Sequence, residues 1–255
     1  MRLADTHAHV SDERFDADRA AVIERAHTAG VALIIDVGAD PRGSERAAAA
    51  ARPADGRYAT VGIHPHYVAT AGEHDWRRLA ELAVLPGVVA VGETGLDFYR
   101  DLSPREQQRE AFERHLAMAA EIGKPLVVHS REATEEVLER LAYWRGRVRA
   151  VLHCFSGEEE TMRRAVDIGC AISVAGNVTY PSAEGIRSAV RQVPLGSLMI
   201  ETDCPYLAPM PGRGKRNEPR NVAVIAHAVA GLREMAVEEL ADITFRNAEG
   251  FFGLD

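Results

Sequence analysis

The sequence predicts an α/β fold, a single (β/α)8 barrel domain spanning residues 1–255. Short apolar segments alternate eight times with helix-length amphipathic stretches, and a chain of 255 residues has the length of such a barrel. A doubly wound open sheet shares this alternation and is the second choice. Side chains suited to metal binding follow several apolar segments directly. Because a barrel gathers such strand ends at one mouth, whereas an open sheet sets them in a row, the barrel is preferred.

Each predicted strand is a nearly continuous run of Val, Ile, Leu and Ala, which is typical of parallel strands buried on both faces. The eight predicted strands are Leu3–His7, Val31–Asp36, Tyr58–Ile63, Val88–Glu93, Leu126–His129, Ala150–His153, Ala171–Val174 and Leu198–Glu201.

Helix boundaries are predicted from capping residues, prolines and glycines. Asp40 and Pro41 open a helix after the second strand. After the fourth strand, Ser103 is the predicted N-cap and Pro104 the first helical residue, with a capping-box glutamate following. That helix is expected to end near Gly123.

Composition limits the functional classes. Thirty lysines and arginines stand against 38 aspartates and glutamates, a net charge of −8, whereas proteins that bind duplex DNA through a broad basic face usually have a net positive charge. No apolar run reaches the roughly 18–20 residues of a membrane span. The three cysteines are far apart, which excludes a disulfide scaffold and suits a reducing compartment. Polar residues begin at Asp5, so we expect no signal peptide and a cytoplasmic protein.

Candidate metal ligands fall at the ends of five predicted strands. They are His7, His9, Glu93, His129, His153 and Asp203. Taken singly, each could be a hydrogen-bonded core or loop residue. Together, four imidazoles and two carboxylates exceed what one four-coordinate zinc ion needs. They suit two divalent cations about 3.5–4 Å apart, bridged by a carboxylate. Zinc or manganese fits this mixed set of ligands, and magnesium fits it less well.

Longer motifs resemble the TatD family of metal-dependent hydrolases, the TatD-type deoxyribonucleases. The matching segments are Asp5–His9, Gly62–His66, Gly92–Arg100, Gln108–Phe112, Pro125–Arg131, His153–Gly157, Glu201–Pro209, Arg213–Arg220 and Asn247–Gly253. The resemblance implies a barrel with a divalent-metal site that hydrolyses DNA phosphodiesters, typically as an exonuclease. It also implies the metal-ligand role for the six residues already placed at strand ends.

The function predicted from the sequence is therefore a phosphodiesterase acting on single-stranded or frayed DNA ends through attack of a metal-activated water. Glu93 is predicted to bridge the ions, and Asp203 to accept the proton of the water. Two divalent cations against two carboxylates leave a local charge near +2, which attracts phosphate. His64, Arg131 and Arg220 are the predicted phosphate contacts. Arg220 belongs to a basic stretch after the eighth strand that could equally be a solvated turn.

Two other functions stay open from the sequence. The first is a metal-dependent amidohydrolase or esterase, such as a D-aminoacyl-tRNA deacylase. Many amidohydrolases bridge their metals with a carboxylated lysine at a strand end, whereas Lys124 precedes its strand. The second is a non-catalytic metal-binding protein, which would not need an open mouth with two metals. No membrane contact and no obligate protein partner are expected.

Overall fold

The computed structural model describes residues 1–254. It confirms the predicted barrel: eight parallel strands pair in the order β1 to β8. They are β1 (Leu3–Ala8), β2 (Val31–Val37), β3 (Arg57–Val61), β4 (Val88–Asp97), β5 (Leu126–Arg131), β6 (Ala150–Leu152), β7 (Ala171–Val174) and β8 (Leu198–Ile200).

Helices follow the strands and surround them, with two after β8. They are α1 (Arg19–Thr28), α2 (Pro41–Ala50), α3 (Glu73–Ala83), α4 (Arg105–Ile122), α5 (Thr134–Tyr143), α6 (Glu159–Asp167), α7 (Glu184–Gln192), α8 (Val222–Leu232) and α9 (Val237–Phe252). Within residues 1–254, no helix has the length and apolar character needed to cross a membrane.

The barrel closes where β1 meets the segment after β8. The backbone N–H of Asp203 donates to the carbonyl of His7 (2.8 Å), and that of His9 donates to the carbonyl of Cys204 (2.8 Å). Asp5 is fully buried and accepts hydrogen bonds from the backbone N–H (2.8 Å) and hydroxyl (2.6 Å) of Thr202. Burial raises the pKa of this carboxyl to about 8, despite those bonds. This hydrogen-bonded seam fixes the positions of His7 and His9 relative to Asp203.

Apolar residues on both faces of the strands explain why the strand patterns are nearly continuous. Leu3 and Ile34 belong to the cluster that packs against the surrounding helices. Leu33, Ile35 and Val127 belong to a second cluster, which Phe245 and Phe252 of α9 join. Alternate residues of one strand thus contribute to different layers of core.

Seven of the eight predicted strands begin and end within two residues of the observed ones, but the predicted end of the fourth strand and the predicted cap of α4 are wrong. The fourth strand does not end at Glu93 but continues to Asp97, because β4 resumes pairing with β5 after a register shift between Val91 and Thr94. Helix α4 begins at Arg105 with no side-chain cap. The hydroxyl of Ser103 instead donates to the carbonyl of His66 (3.1 Å) and anchors the loop after β3.

The other helix boundaries agree with the sequence. Asp40 caps α2 by accepting a hydrogen bond from the backbone N–H of Gly43 (2.9 Å), and Pro41 is its first residue. Gly123 ends α4 with a φ of 68°, a left-handed conformation that glycine adopts without steric cost.

Candidate metal centre

The carboxyl ends of the strands open into a cavity of about 1120 Å³. Five of the six predicted ligands line it: His9, Glu93, His129, His153 and Asp203. The sixth, His7, is fully buried, and its Nε2 lies 3.5 Å from Glu93 Oε2. The structure therefore brings all six side chains together at one mouth of the barrel.

Glu93 reaches the centre of this group because β4 is irregular at that point. The register shift between Val91 and Thr94 interrupts the ladder with β5, and the backbone N–H of Glu93 donates to the carbonyl of Gly38 (3.0 Å). An irregularity of this kind redirects a side chain without ending the strand. The Glu93 side chain, 5 % exposed, lies between two groups of imidazoles.

The first half-site consists of His7, His9 and Asp203. The two Nε2 atoms of its histidines are 3.2 Å apart. Asp203 Oδ1 lies 3.4 Å from His9 Nε2 and 3.7 Å from His7 Nε2. Glu93 Oε2 faces the same atoms, at 3.5 Å from His7 and 3.8 Å from His9. Four candidate ligand atoms thus surround one point, a number suited to a tetrahedral cation.

The second half-site consists of His129 and His153 and faces the other oxygen of Glu93. Oε1 lies 2.8 Å from His153 Nε2 and 3.2 Å from His129 Nδ1. These two nitrogens are 3.4 Å apart. His64 Nε2 also lies 3.3 Å from Oε1, so the two carboxylate oxygens of Glu93 face separate groups of imidazoles.

The outer nitrogens of His9 and His129 have hydrogen-bond partners that orient the rings, and the outer nitrogen of His153 lies near a carboxylate without forming a hydrogen bond to it. His9 Nδ1 lies 2.9 Å from the carbonyl of Val37, to which it donates. His129 Nε2 lies 3.0 Å from Asp97 Oδ2, and His153 Nδ1 lies 3.3 Å from Glu201 Oε1. With the proton on the outer nitrogen, the lone pair of the inner nitrogen points at the centre, as in metal-bound histidines.

Electrostatics also favour a cation at this centre. Burial alone would raise the pKa of Glu93, but the charges of His153 and His64, with hydrogen bonds from His129 and His153, hold that pKa well below its usual value. Burial would likewise lower the pKa of His153, yet Glu93 and Glu201 raise it well above its usual value. Buried carboxylates here demand positive charge, which imidazolium protons or divalent cations can provide. The donor set fits divalent metal.

His64 differs from the other histidines at the mouth. Its Nδ1 accepts a hydrogen bond from the backbone N–H of His66 (3.1 Å), so the neutral ring carries its proton on Nε2. That Nε2 lies 3.3 Å from Glu93 Oε1 and lines the cavity. His64 therefore presents an N–H rather than a lone pair, which suits the predicted contact with a substrate oxygen.

Asp97 is a functional residue that the sequence reasoning missed. It is fully buried and accepts hydrogen bonds from His129 Nε2 (3.0 Å) and His66 Nε2 (2.9 Å). It also accepts from the backbone N–H groups of Tyr99 (3.1 Å) and Arg100 (2.7 Å). These bonds outweigh burial and lower the pKa of Asp97. The available signal was its spacing of four residues from Glu93, which becomes meaningful once β4 is known to continue.

Glu201 is a second missed residue. It is fully buried, and its Oε1 accepts a hydrogen bond from the backbone N–H of Cys154 (2.7 Å) while approaching the ring of His153. The sequence did place this carboxylate two residues before Asp203, but without a role. In the structure it positions the segment after β6 that carries His153.

Of the two arginines predicted to contact the substrate, the structure brings one to the cavity and not the other. Arg131 lines the cavity, with its guanidinium carbon 4.0 Å from the ring centroid of Tyr99. Arg220 does not line the cavity, and its Nε lies 3.1 Å from Glu218 Oε2. Arg216 of the same stretch pairs with Asp18 (2.7 Å). The structure does not bring Arg220 to the mouth, because acidic side chains within the described residues 1–254 already hold it and Arg216.

Comparison with known proteins identifies the family. The family model described as TatD related DNase matches residues 4–253. An uncharacterized metal-dependent hydrolase, YabD, from Bacillus subtilis is 40% identical over 254 residues, which cover 99% of this chain and 100% of that protein. A protein from Erwinia amylovora named 3'-5' ssDNA/RNA exonuclease TatD is 36% identical over 259 residues, covering 99% of this chain and 100% of that protein.

A solved structure agrees with these sequence relatives. The crystal structure of YJJV, a TatD homologue from Escherichia coli K12, matches with a TM-score of 0.93 and 30% identity, covering 99% of this chain and 98% of that one. The likeness extends over the barrel and the segments that carry the six clustered side chains. The chain belongs to the TatD-related DNase family and is a metal-dependent hydrolase.

Proposed function

We propose that this protein is a phosphodiesterase that removes nucleotides from single-stranded or frayed DNA ends with two divalent cations. The observation that carries the proposal is the position of Glu93, whose two oxygens face separate groups of imidazole nitrogens at 2.8–3.8 Å. A carboxylate placed in this way is suited to bridge two ions. His7, His9 and Asp203 would complete the first ion's ligands, and His129 and His153 the second's.

Divalent ions held there would supply an activated water as nucleophile and would offset charge on a phosphoryl oxygen. Asp203, whose side chain is 14 % exposed beside the cavity, is the group proposed to accept the proton of that water. His64, whose Nε2 lies 3.3 Å from Glu93 Oε1 on the cavity wall, is the group proposed to donate its N–H to a phosphate oxygen. Two divalent cations would outweigh the charges of Glu93 and Asp203, and the buried carboxylate of Asp97 beside His129 would offset part of that excess.

The cavity rim adds cationic groups for a substrate longer than one nucleotide. Arg131 lines the cavity at the end of β5, Arg100 lines it on the loop after β4, and Arg42 lines it at the start of α2. Among the described residues, none of these three guanidiniums makes an ion pair with a carboxylate. Free guanidiniums suit phosphate oxygens, which they bind in a bidentate manner. The exonuclease name of the Erwinia relative supports the same substrate class.

An amidohydrolase that bridges its metals with a carboxylated lysine needs a lysine at the mouth of the barrel, and neither lysine of this chain lies there. The chain contains two lysines, Lys124 and Lys215. The Nζ of Lys124 donates to the carbonyls of Leu85 (3.3 Å) and Val88, at the amino end of β4, opposite the mouth. Lys215 lies in an exposed loop and does not line the cavity that the described residues form. Glu93 occupies the bridging position instead.

The proposal is tested by incubating metal-free protein with end-labelled single strands and, in parallel, with carboxylic ester, lactone and amide substrates. Each reaction receives Zn²⁺, Mn²⁺ or Mg²⁺, with a chelator control. We expect stepwise shortening of the oligonucleotides that requires metal and stops with chelator. Hydrolysis of esters or amides with oligonucleotides intact under every metal would refute the proposal.

A further inference from the structure

We propose that Tyr67 and Tyr206 form an aromatic subsite that stacks an unpaired nucleobase beside the metal centre. This inference rests on the proposed phosphodiesterase function and deepens it. The subsite would take the base of the nucleotide whose phosphate is cleaved, and it would explain a preference for single-stranded ends.

The two tyrosines line the same cavity, one beside each half-site. The ring centroid of Tyr206 is 6.0 Å from that of His9 in the first half-site. The ring centroid of Tyr67 is 6.3 Å from that of His64, which faces the Glu93 oxygen of the second half-site. A base attached to a phosphate at the centre would therefore reach either ring.

Both rings have open surface in the free protein. Tyr67 is 44% exposed and Tyr206 47% exposed, and both line the cavity. Open aromatic faces next to a cationic centre are the feature with which proteins hold single-stranded nucleic acids.

The Tyr206 ring is also held in place before any ligand arrives. The guanidinium of Arg14 covers one of its faces, with the carbon 4.2 Å from the ring centroid. Arg14 itself is fixed by Asp12, with Nε to Oδ1 and Nη2 to Oδ2 distances of 3.0 Å each. The exposed surface of Tyr206 is therefore its second face and its edge.

Three guanidiniums that line the cavity have no carboxylate partner among the described residues, those of Arg42, Arg100 and Arg131. Arg14, which covers Tyr206, is instead neutralised by Asp12. Phosphates are expected at the unpaired guanidiniums and a flat, uncharged group at the tyrosines. Bases inside a duplex are already stacked on both faces, so an unpaired terminal base gains most from this surface.

The test uses single-stranded oligonucleotides that differ in one terminal nucleotide. One set carries a normal base at both ends, and two others carry an abasic residue at the 3′ or the 5′ end. The value measured is the ratio of kcat/KM for base-bearing over abasic ends. Wild type is compared with Tyr67→Ala, Tyr206→Ala and the two Tyr→Phe variants. Tyr143→Ala is the matched control, since Tyr143 is 72% exposed and does not line the cavity.

We expect wild type to prefer the base-bearing end, and each Ala substitution to lower the preference about tenfold, the scale of one lost base–aromatic stack. The Phe variants and Tyr143→Ala should keep the wild-type ratio, with metal content and melting temperature unchanged. The stacking subsite would be overturned if the Ala substitutions lowered kcat/KM equally on base-bearing and abasic ends, or if the Phe variants lost as much as the Ala variants. The proposed phosphodiesterase function would stand in either case. If wild type cleaves no oligonucleotide, the proposed function fails first and the subsite with it.

Discussion

The two half-sites on either side of Glu93 are built in different ways. In the first, His7, His9 and Asp203 sit on neighbouring backbone segments that hydrogen bond to each other along the β1–β8 seam. In the second, His129 and His153 come from separate strand ends, the buried carboxylate of Asp97 orients the ring of His129, and that of Glu201 lies 3.3 Å from His153 Nδ1. The first half-site is positioned by the backbone and the second by side chains.

The half-sites also differ in charge. Asp203 gives the first a carboxylate of its own, whereas the second has two imidazoles and depends on the shared Glu93. A cation in the second half-site therefore loses its one anionic contact if Glu93 is neutralised. This difference predicts that the first ion is held more tightly and that the second is more sensitive to substitution.

The largest effect is expected for Glu93→Gln, which keeps volume and removes the shared charge. Metal content should fall toward one ion per chain or none, with the first half-site the one that retains metal. Activity should fall by about three orders of magnitude or more, because metal-assisted attack loses its activated water. Elemental analysis alongside a thermal melt measures this. Two ions per chain with full activity would remove the bridging role of Glu93.

Asp203→Asn should separate metal binding from turnover. Asp203 forms no ion pair within 4.0 Å with His129 or His153 among the described residues, although the ligand atoms of His153 and Asp203 lie within 4.8 Å of each other. The second ion should therefore largely persist. Turnover should drop on the order of 10²–10⁴-fold, the contribution of a positioned general base. Metal content and single-turnover rates measure the two effects separately. A variant that binds no metal at all would contradict the independence of the half-sites.

Asp97→Asn tests the side-chain positioning of the second half-site. The amide can still accept one hydrogen bond but no longer favours the His129 tautomer with Nε2 protonated. A loss of roughly 10–100-fold in metal affinity or activity is expected. The affinity for the second ion should be the one that decreases, as measured by titrating Mn²⁺ or Zn²⁺ into metal-free protein. A loss confined to the first ion would contradict the assignment.

The smallest effects are expected for Arg131, which lines the cavity, and Arg220, which does not. Arg131→Ala should raise KM for oligonucleotides roughly tenfold, since it removes one charged hydrogen bond to phosphate. Arg220→Ala should change KM by less than about twofold, as for other exposed residues away from a site. Both variants should keep wild-type metal content. If Arg220→Ala proved the more damaging of the two, the loop after β8 would have to move to the substrate.

The sequence predicted the barrel and the clustering of six side chains because both follow from one rule, that parallel strand ends meet at one edge. It missed the continuation of β4 beyond Glu93, because glycines 92 and 95 interrupt the apolar run. Asp97 lies in the part of β4 that was not predicted, so it was not recognised as a site residue. The placement of Arg220 required knowledge of its neighbours. Arg216 of the same stretch pairs with Asp18, almost 200 positions away in sequence, a contact that no local pattern reveals.

The central claim is that Glu93 bridges two cations, and the most direct test is a crystal structure of wild-type protein grown with Mn²⁺ or Zn²⁺. Anomalous difference maps locate each ion without reference to activity. The account predicts two peaks about 3.5–4 Å apart. One should lie among His7, His9 and Glu93 Oε2, and the other among His129, His153 and Glu93 Oε1. A single ion, or two ions with Glu93 bound to neither or to one alone, would contradict it.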